Sequence, residues 1–218
     1  MTSPLYGIFG GTFDPVHNGH IETVSSVLKS CGLAGVIFVP TAVPPHRHRP
    51  AASARHRVEM VHLAIAGIAE FDLDDRETRR DSFSYTYDTL ASLKADFPTR
   101  KYCLILGMDA FLELESWYRW NDLVAAVHFI VMCRPGWCRP ARVPRWWNDG
   151  EIVSSHEFEP YHAGKILLVD VAPNPVSATE IRYGISRGID VSPLVAEPVW
   201  EYICKNKLYT PVNLSDPT

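Results

Sequence analysis

Apolar residues along this chain follow two rhythms. Short runs rich in aliphatic and β-branched residues occupy residues 5–9, 35–39, 101–106, 128–132 and 165–171. Each is too short for a helix and several close on Gly or Pro, which predicts buried strands. Between them the apolar residues recur at three- and four-residue spacing. Ile21, Val24, Val27 and Leu28 predict a helix over 19–30. Val58, Val61, Ile65 and Ile68 predict a second, capped by Ser53 and running to about residue 69, with His62 as a core-edge histidine on its apolar side. Leu90 and Leu93 point inward from a helix over 86–96, and Val195, Val199 and Ile203 mark a closing helix. Residues 71–78 make a poor helix and suit a short strand. Strand and helix alternating in this way predict parallel pairing through βαβ units, and so an α/β fold, Rossmann-like, doubly wound, with helices on both faces of the sheet.

Composition narrows this further. With 218 residues, 46% of them hydrophobic, the chain can bury one good core, and one domain over 1–218 is expected, its helical part from about residue 177 packing on the rest. There is no internal repeat or linker. A net charge of -4 and the lack of a Lys/Arg stripe give no general attraction for nucleic acid or acidic membrane, so an anionic substrate needs a local cluster. Five cysteines without a C-x-x-C pair suit buried thiols in a reducing compartment rather than disulfides or a metal. The start MTSPLYGIFG has neither a basic stretch nor a long apolar core, and no run approaches ~18 apolar residues, so a cytoplasmic protein without a membrane span is expected. Assembly into a homo-oligomer stays open.

The stretch 6–20, YGIFGGTFDPVHNGH, carries the chemistry. Gly10 and Gly11 let a backbone leaving a strand turn sharply and present N–H groups to an anion. Asp14-Pro15 is turn chemistry, and His17 and His20 then flank a helix start, where partial positive charge favours neutral imidazoles or bound anions. A polyphosphate fits. A plain glycine turn with two capping histidines would leave the coincidence of eleven positions unexplained. The run is neither G-x-G-x-x-G nor G-x-x-x-x-G-K-[ST], which argues against a plain Rossmann dehydrogenase and a P-loop nucleotidase. It closely resembles the (H/T)-x-G-H signature of the nucleotidyltransferase superfamily, in the form GGTFDPVHNGH typical of bacterial nicotinate-mononucleotide adenylyltransferases.

Further stretches carry the resemblance. VSATEIR, at 176–182, is similar to the superfamily's second signature, which binds the triphosphate; by itself it reads as a helix start capped by Ser177 or Thr179, with Arg182 on the same face. Pro44, Pro45, His46 and Arg47 match a P-P-H-(K/R) loop that helps hold phosphate, although composition alone equally allows a solvated basic loop. Ser84-Tyr85-Thr86 matches the S-Y-T that lies beside the pyridine carboxylate, and Trp117-Tyr118 a pair that frames the nicotinate ring. Asp109, in G-x-D after a strand, suits a ribose hydroxyl or a helix cap. Phe83 and Met108 depart from the family, which usually has Pro and Ala there. The segment 133–149, with four arginines and three tryptophans, could stack on bases but reads better as a surface excursion or partner contact.

The resemblance implies adenylyl transfer from ATP to nicotinate mononucleotide, giving deamido-NAD+ and pyrophosphate in NAD biosynthesis. His17, His20 and Arg182 would be catalytic. Gly10, Gly11, Thr12, Phe13, Asp109, Ser177 and Thr179 would hold ATP, and His46, Arg47, Ser84, Tyr85, Thr86, Trp117 and Tyr118 the mononucleotide. Mg2+ would be carried by ATP, with no dedicated metal site. The alternatives are a sister enzyme using nicotinamide mononucleotide or phosphopantetheine, and a non-catalytic nucleotide-sensing module.

Overall fold

The computed structural model describes residues 4–42, 49–80, 83–134, 136, 139–140, 142–158 and 163–211. Among them the five apolar runs and the 71–78 stretch become strands, a two-residue strand that the sequence does not foreshadow makes seven, and the periodic segments become helices. In chain order these are β1 (Leu5–Gly11), α1 (Asn18–Cys31), β2 (Gly35–Pro40), α2 (Ala54–Ile65), β3 (Phe71–Leu73), α3 (Thr86–Asp96), β4 (Lys101–Gly107), α4 (Met108–Leu112), α5 (Trp120–Ala126), β5 (His128–Cys133), α6 (Arg145–Gly150), β6 (Glu151–Ile152), β7 (Ile166–Asp170), α7 (Ala178–Ser186) and α8 (Glu197–Lys205). The strand order is β3-β2-β1-β4-β5-β7-β6. β4 lies parallel to β1, with Leu5 opposite Lys101 and Ile8 opposite Leu104, and β5 and β7 continue in parallel. The order runs outward one way through β1, β2 and β3 and then resumes on the other side with β4, which makes the α/β fold Rossmann-like and doubly wound. The candidate residues Gly10, Thr12, Asp109 and Ser177 stand at or beyond the carboxyl end of the strand that precedes each.

Contacts divide the chain into two compact units, each built from separate stretches. One comprises Met1–Phe9, Ser25–Ile37 and Tyr85–Pro173. Its core is β4 and β5, where Cys103, Leu104, Ile105, Phe129, Ile130 and Val131 are all buried, as suits strands covered on both faces. The other comprises Gly10–Val24, Phe38–Ser84 and Asn174–Thr218. There Phe38 lies between Phe13 and Phe71, with ring centroids 5.9 Å and 5.0 Å away, and α2 packs on α8. No helix among the described residues is long and apolar enough to cross a membrane.

Several expectations need correction. α2 ends at Ile65, two residues before Gly67, and not near residue 69. Of the expected inward set Val61 and Ile65 are buried, but Arg57 and Met60 complete the stripe in place of Val58 and Ile68, and His62 is exposed instead of lying at the core edge. The segment 133–149 is no mere surface excursion. It contributes most of α6, and Trp147 is 2% exposed with its ring 4.9 Å from that of Phe111. The buried Nε1 of Trp147 has no hydrogen-bond partner among the described residues, a cost of about 1–3 kcal/mol. Truncating a buried tryptophan typically costs about 3–5 kcal/mol, so burial wins. Two short helices, α4 and α5, lack the length for a clear period and have no counterpart in the sequence reading.

Candidate active site

The glycine loop and both histidines fall in the second unit. β1 ends at Gly11, where a Cβ would lie 2.9 Å from the Phe13 ring, so only glycine fits under that side chain. Phe13 itself has a left-handed φ of 49° and is buried, turning the chain into the cis Asp14-Pro15 peptide. α1 then begins at Asn18, between the two histidines. Their rings lie 3.7 Å apart, and the Phe13 ring meets His20 edge-on at 5.2 Å. The His17 backbone N–H donates to His20 Nδ1 at 3.2 Å, which makes Nδ1 an acceptor and leaves Nε2 to carry the hydrogen. Burial holds the His17 imidazole down at about 4. Burial and then the neighbouring His17 hold His20 at about 3. Both are therefore neutral near pH 7, one of the two states expected beside a helix start. An arriving anion would favour the protonated forms, since it restores the charge partner that burial removes.

The second signature meets this loop in the same unit. Ser177 caps α7, accepting from the Glu180 backbone N–H at 3.2 Å, and its hydroxyl bonds the Glu180 carboxylate at 3.0 Å. Arg182 reaches back, donating from Nη2 to Thr179 Oγ1 at 3.2 Å and from Nη1 to the Asp14 carbonyl at 2.7 Å, across 168 residues of sequence. Its guanidinium stays partly exposed and is 4.0 Å from the Asp14 carboxylate, so it keeps donors for a ligand. Asp14 is itself buried and accepts from the backbone N–H groups of Ala51, at 2.7 Å, and Ala52, at 3.1 Å. Gly10, Gly11, Thr12, Phe13, His17, His20, Ser177, Thr179 and Arg182 thus share one unit.

Arg57 was missed by the sequence reading. It is 1% exposed, donating from Nη1 to the Thr12 carbonyl at 2.6 Å and from Nη2 to the Ala42 carbonyl at 2.8 Å. Desolvation lowers its pKa, offset in part by Asp14 and Tyr209. One side chain therefore ties the end of the glycine loop to the chain leaving β2. The sequence signal was a charged residue on the inward stripe of α2. His46 and Arg47 lie outside the described residues.

The remaining candidates belong chiefly to the first unit. Thr86 opens α3 with Tyr85 just before it, and the Tyr85 ring stacks on Tyr118 at 4.4 Å, tilted by 33°. This joins the S-Y-T and W-Y stretches. Trp117 is half-buried, Tyr118 half-exposed, and Arg119 follows with a left-handed φ of 54°, its guanidinium 3.9 Å from the Tyr87 ring. Asp109 is exposed in the first turn of α4, whose cap position is Gly107; a Cβ on that glycine would lie 2.5 Å from Asp109 Oδ1. Met108 turns inward and is buried, whereas Phe83 is 60% exposed. Ser84 belongs to the second unit, its hydroxyl donating to the Glu77 carbonyl at 3.1 Å.

Known proteins resemble the chain along nearly its whole length. A family profile described as cytidylyltransferase-like matches residues 8–184. A protein of Pectobacterium atrosepticum named probable nicotinate-nucleotide adenylyltransferase is 39% identical over 212 residues, covering 94% of this chain and 98% of that one. A protein of the same name from Aeromonas hydrophila is 38% identical over 213 residues, covering 97% and 100%. Among solved structures, Plasmodium falciparum nicotinic acid mononucleotide adenylyltransferase complexed with NaAD matches with a TM-score of 0.72 at 20% identity, over 94% of this chain and 97% of that one. At that identity the likeness is one of fold.

Proposed function

Because the chain belongs to the cytidylyltransferase-like family, and within it to the nicotinate-nucleotide adenylyltransferases, we infer that it makes deamido-NAD+ from ATP and nicotinate mononucleotide. The observation that carries the mechanism is the Arg182–Asp14 bond, which brings the second signature onto the loop that bears the histidines. A 5′-phosphate oxygen of the mononucleotide attacks the α-phosphorus of ATP. A new P–O bond forms there, the bond from that phosphorus to the bridging oxygen breaks, and pyrophosphate leaves with the electron pair. Such a reaction asks for alignment and for positive groups where charge gathers. His20, with its hydrogen on Nε2, and His17 would donate to phosphoryl oxygens, while Arg182 and the α7 start with Ser177 and Thr179 would hold the departing end. Gly10 and Gly11 let the backbone approach.

Mg2+ would arrive on the ATP. The buried Asp14 carboxylate is already engaged by two backbone N–H groups and by Tyr209, so this donor set leaves the ion to phosphate oxygens and water. On the mononucleotide side, the Tyr85–Tyr118 stack with Thr86 and Trp117 supports a site for a flat aromatic ring in the first unit. A cytoplasmic location belongs to the same reading. Cys31, Cys103 and Cys133 are free and buried, and burial pushes their thiols up, which suits a reducing compartment.

Pyrophosphate release measured with ATP and a panel of mononucleotides tests the assignment. The acid should be used with kcat/KM at least ~10²-fold above the amide, since backbone N–H groups donate to a carboxylate but oppose an NH2 group. Comparable values for both would transfer the assignment to an amide-using enzyme.

A further inference from the structure

We infer that Tyr209, delivered by the turn after α8, is a positioning residue for adenylyl transfer, its hydroxyl fixing the Asp14 carboxylate on which the histidine-bearing loop is braced. The inference rests on the function proposed above. The turn is built to an unusual specification. Beyond α8 the Leu208 N–H donates to the Ile203 carbonyl at 3.0 Å and the Lys207 N–H to the Cys204 carbonyl at 3.2 Å, the paired bonds that reverse a helix end around a left-handed residue. That residue is Lys207, φ 51°, where glycine is usual, and Tyr209 is left-handed again at φ 63°. Two side-chain-bearing residues in so disfavoured a region persist only where the surroundings fix them.

What fixes Tyr209 is its end point. It is 2% exposed, and its hydroxyl donates to Asp14 Oδ1 at 2.8 Å. Burial, then Asp14, push the phenol far above its ordinary value, so it remains a donor. The hydroxyl joins Ala51 and Ala52 as the third donor on that carboxylate. Asp14 thereby gathers the glycine loop, the approach to α2 and the C-terminal turn. Its own carbonyl receives Arg182, and His17 follows three residues later. A displaced Asp14 would carry Arg182 with it. A plug of the core would need the ring of Tyr209 but not its hydroxyl.

The test uses the full chain with Tyr209→Phe, which keeps the ring. Pyrophosphate release should show kcat lower by about tenfold or more and a raised KM for ATP, with KM for the mononucleotide changed less than about twofold, because misplacing a phosphoryl contact slows the aligned step. An unchanged kcat and ATP KM, with or without a lower melting temperature, would make Tyr209 a structural plug and overturn the inference. If that variant does not fold in plain buffer, the same kinetics are read in an osmolyte such as TMAO, which favours the folded state, against the unaltered chain in the same solution; an unchanged kcat and ATP KM there overturns the inference. Should the unaltered chain release no pyrophosphate with any mononucleotide, the functional reading fails on its own. Calorimetric binding of inorganic tripolyphosphate then decides the positioning role: it should be at least about tenfold weaker for Tyr209→Phe, and equal affinity would refute it.

Discussion

Gly19 shows how little room the histidine pair leaves. A Cβ there would stand 3.0 Å from His17 Nδ1 and 3.0 Å from Asn174 Oδ1. Neither neighbour can yield freely, since His17 is stacked on His20 and Asn174 is bonded to Glu22 at 2.8 Å and to the Val176 N–H at 3.0 Å. Gly19 lies early in α1, where alanine would favour the helix by about 1 kcal/mol. The two effects on stability oppose each other, while the displacement of His17 acts on the reaction alone. Gly19→Ala should therefore lower kcat by about tenfold while the melting temperature stays within about 4 °C, checked by pyrophosphate release and calorimetry on one preparation. The H-x-G-H spacing was readable from the residues; the contact that forbids a Cβ was not, because Asn174 lies far along the chain.

At the scale of elements, α2 is the brace of the site. A periodic helix can present a charged residue inward only if its group is satisfied, and the Arg57 fork bonds two carbonyls from different loops. A lysine ammonium on a single stem cannot reproduce that planar fork. Arg57→Lys is expected to lose one of the two bonds and about 1.5–3 kcal/mol of stability, measured by urea unfolding, since bonds to a charged group lie in that range. A destabilisation below about 0.5 kcal/mol would show that the fork is not what braces the loop. The sequence showed that this helix exists and where Ser53 caps it, the cap being seen in the Ser53 oxygen accepting from the His56 N–H at 3.4 Å. Of its inward face Val61 and Ile65 are legible from their spacing, but Arg57 is not, because Val58 beside it is the more apolar and the carbonyls of Thr12 and Ala42 that make the arginine welcome there come from other stretches.

For the whole molecule the histidines set the response to acid. Their folded values, about 4 and about 3, lie below the ordinary 6.5, so as pH falls below 6.5 the unfolded chain binds protons that the folded chain refuses. Stability should drop from about pH 6.5 downward, by about 2 kcal/mol per histidine by about pH 5, the His17 part ending near pH 4 and the His20 part near pH 3. The Asp74 carboxyl acts elsewhere: burial would raise it, but the Arg76 hydrogen bonds outweigh this and depress it below 3.8, so its contribution disappears only in stronger acid. Calorimetric scans from about pH 7.5 to about pH 4 should show the earlier loss, and His17→Gln with His20→Gln should flatten it; an unchanged slope would mean that other groups govern the acid response. What the sequence alone determined were the features that depend on neighbours in the chain: the strand and helix rhythm, the turn chemistry of the glycine loop and the caps. Both signatures belong with these, because their spacing is local. Tertiary structure decided what depends on distant partners: that Arg182 lands on the Asp14 carbonyl, that Arg57 and Tyr209 are buried among polar groups, and that Trp147 goes inside. Burial and hydrogen-bond satisfaction are properties of surroundings assembled from remote stretches, and no local pattern encodes which carbonyl or carboxylate will be waiting there.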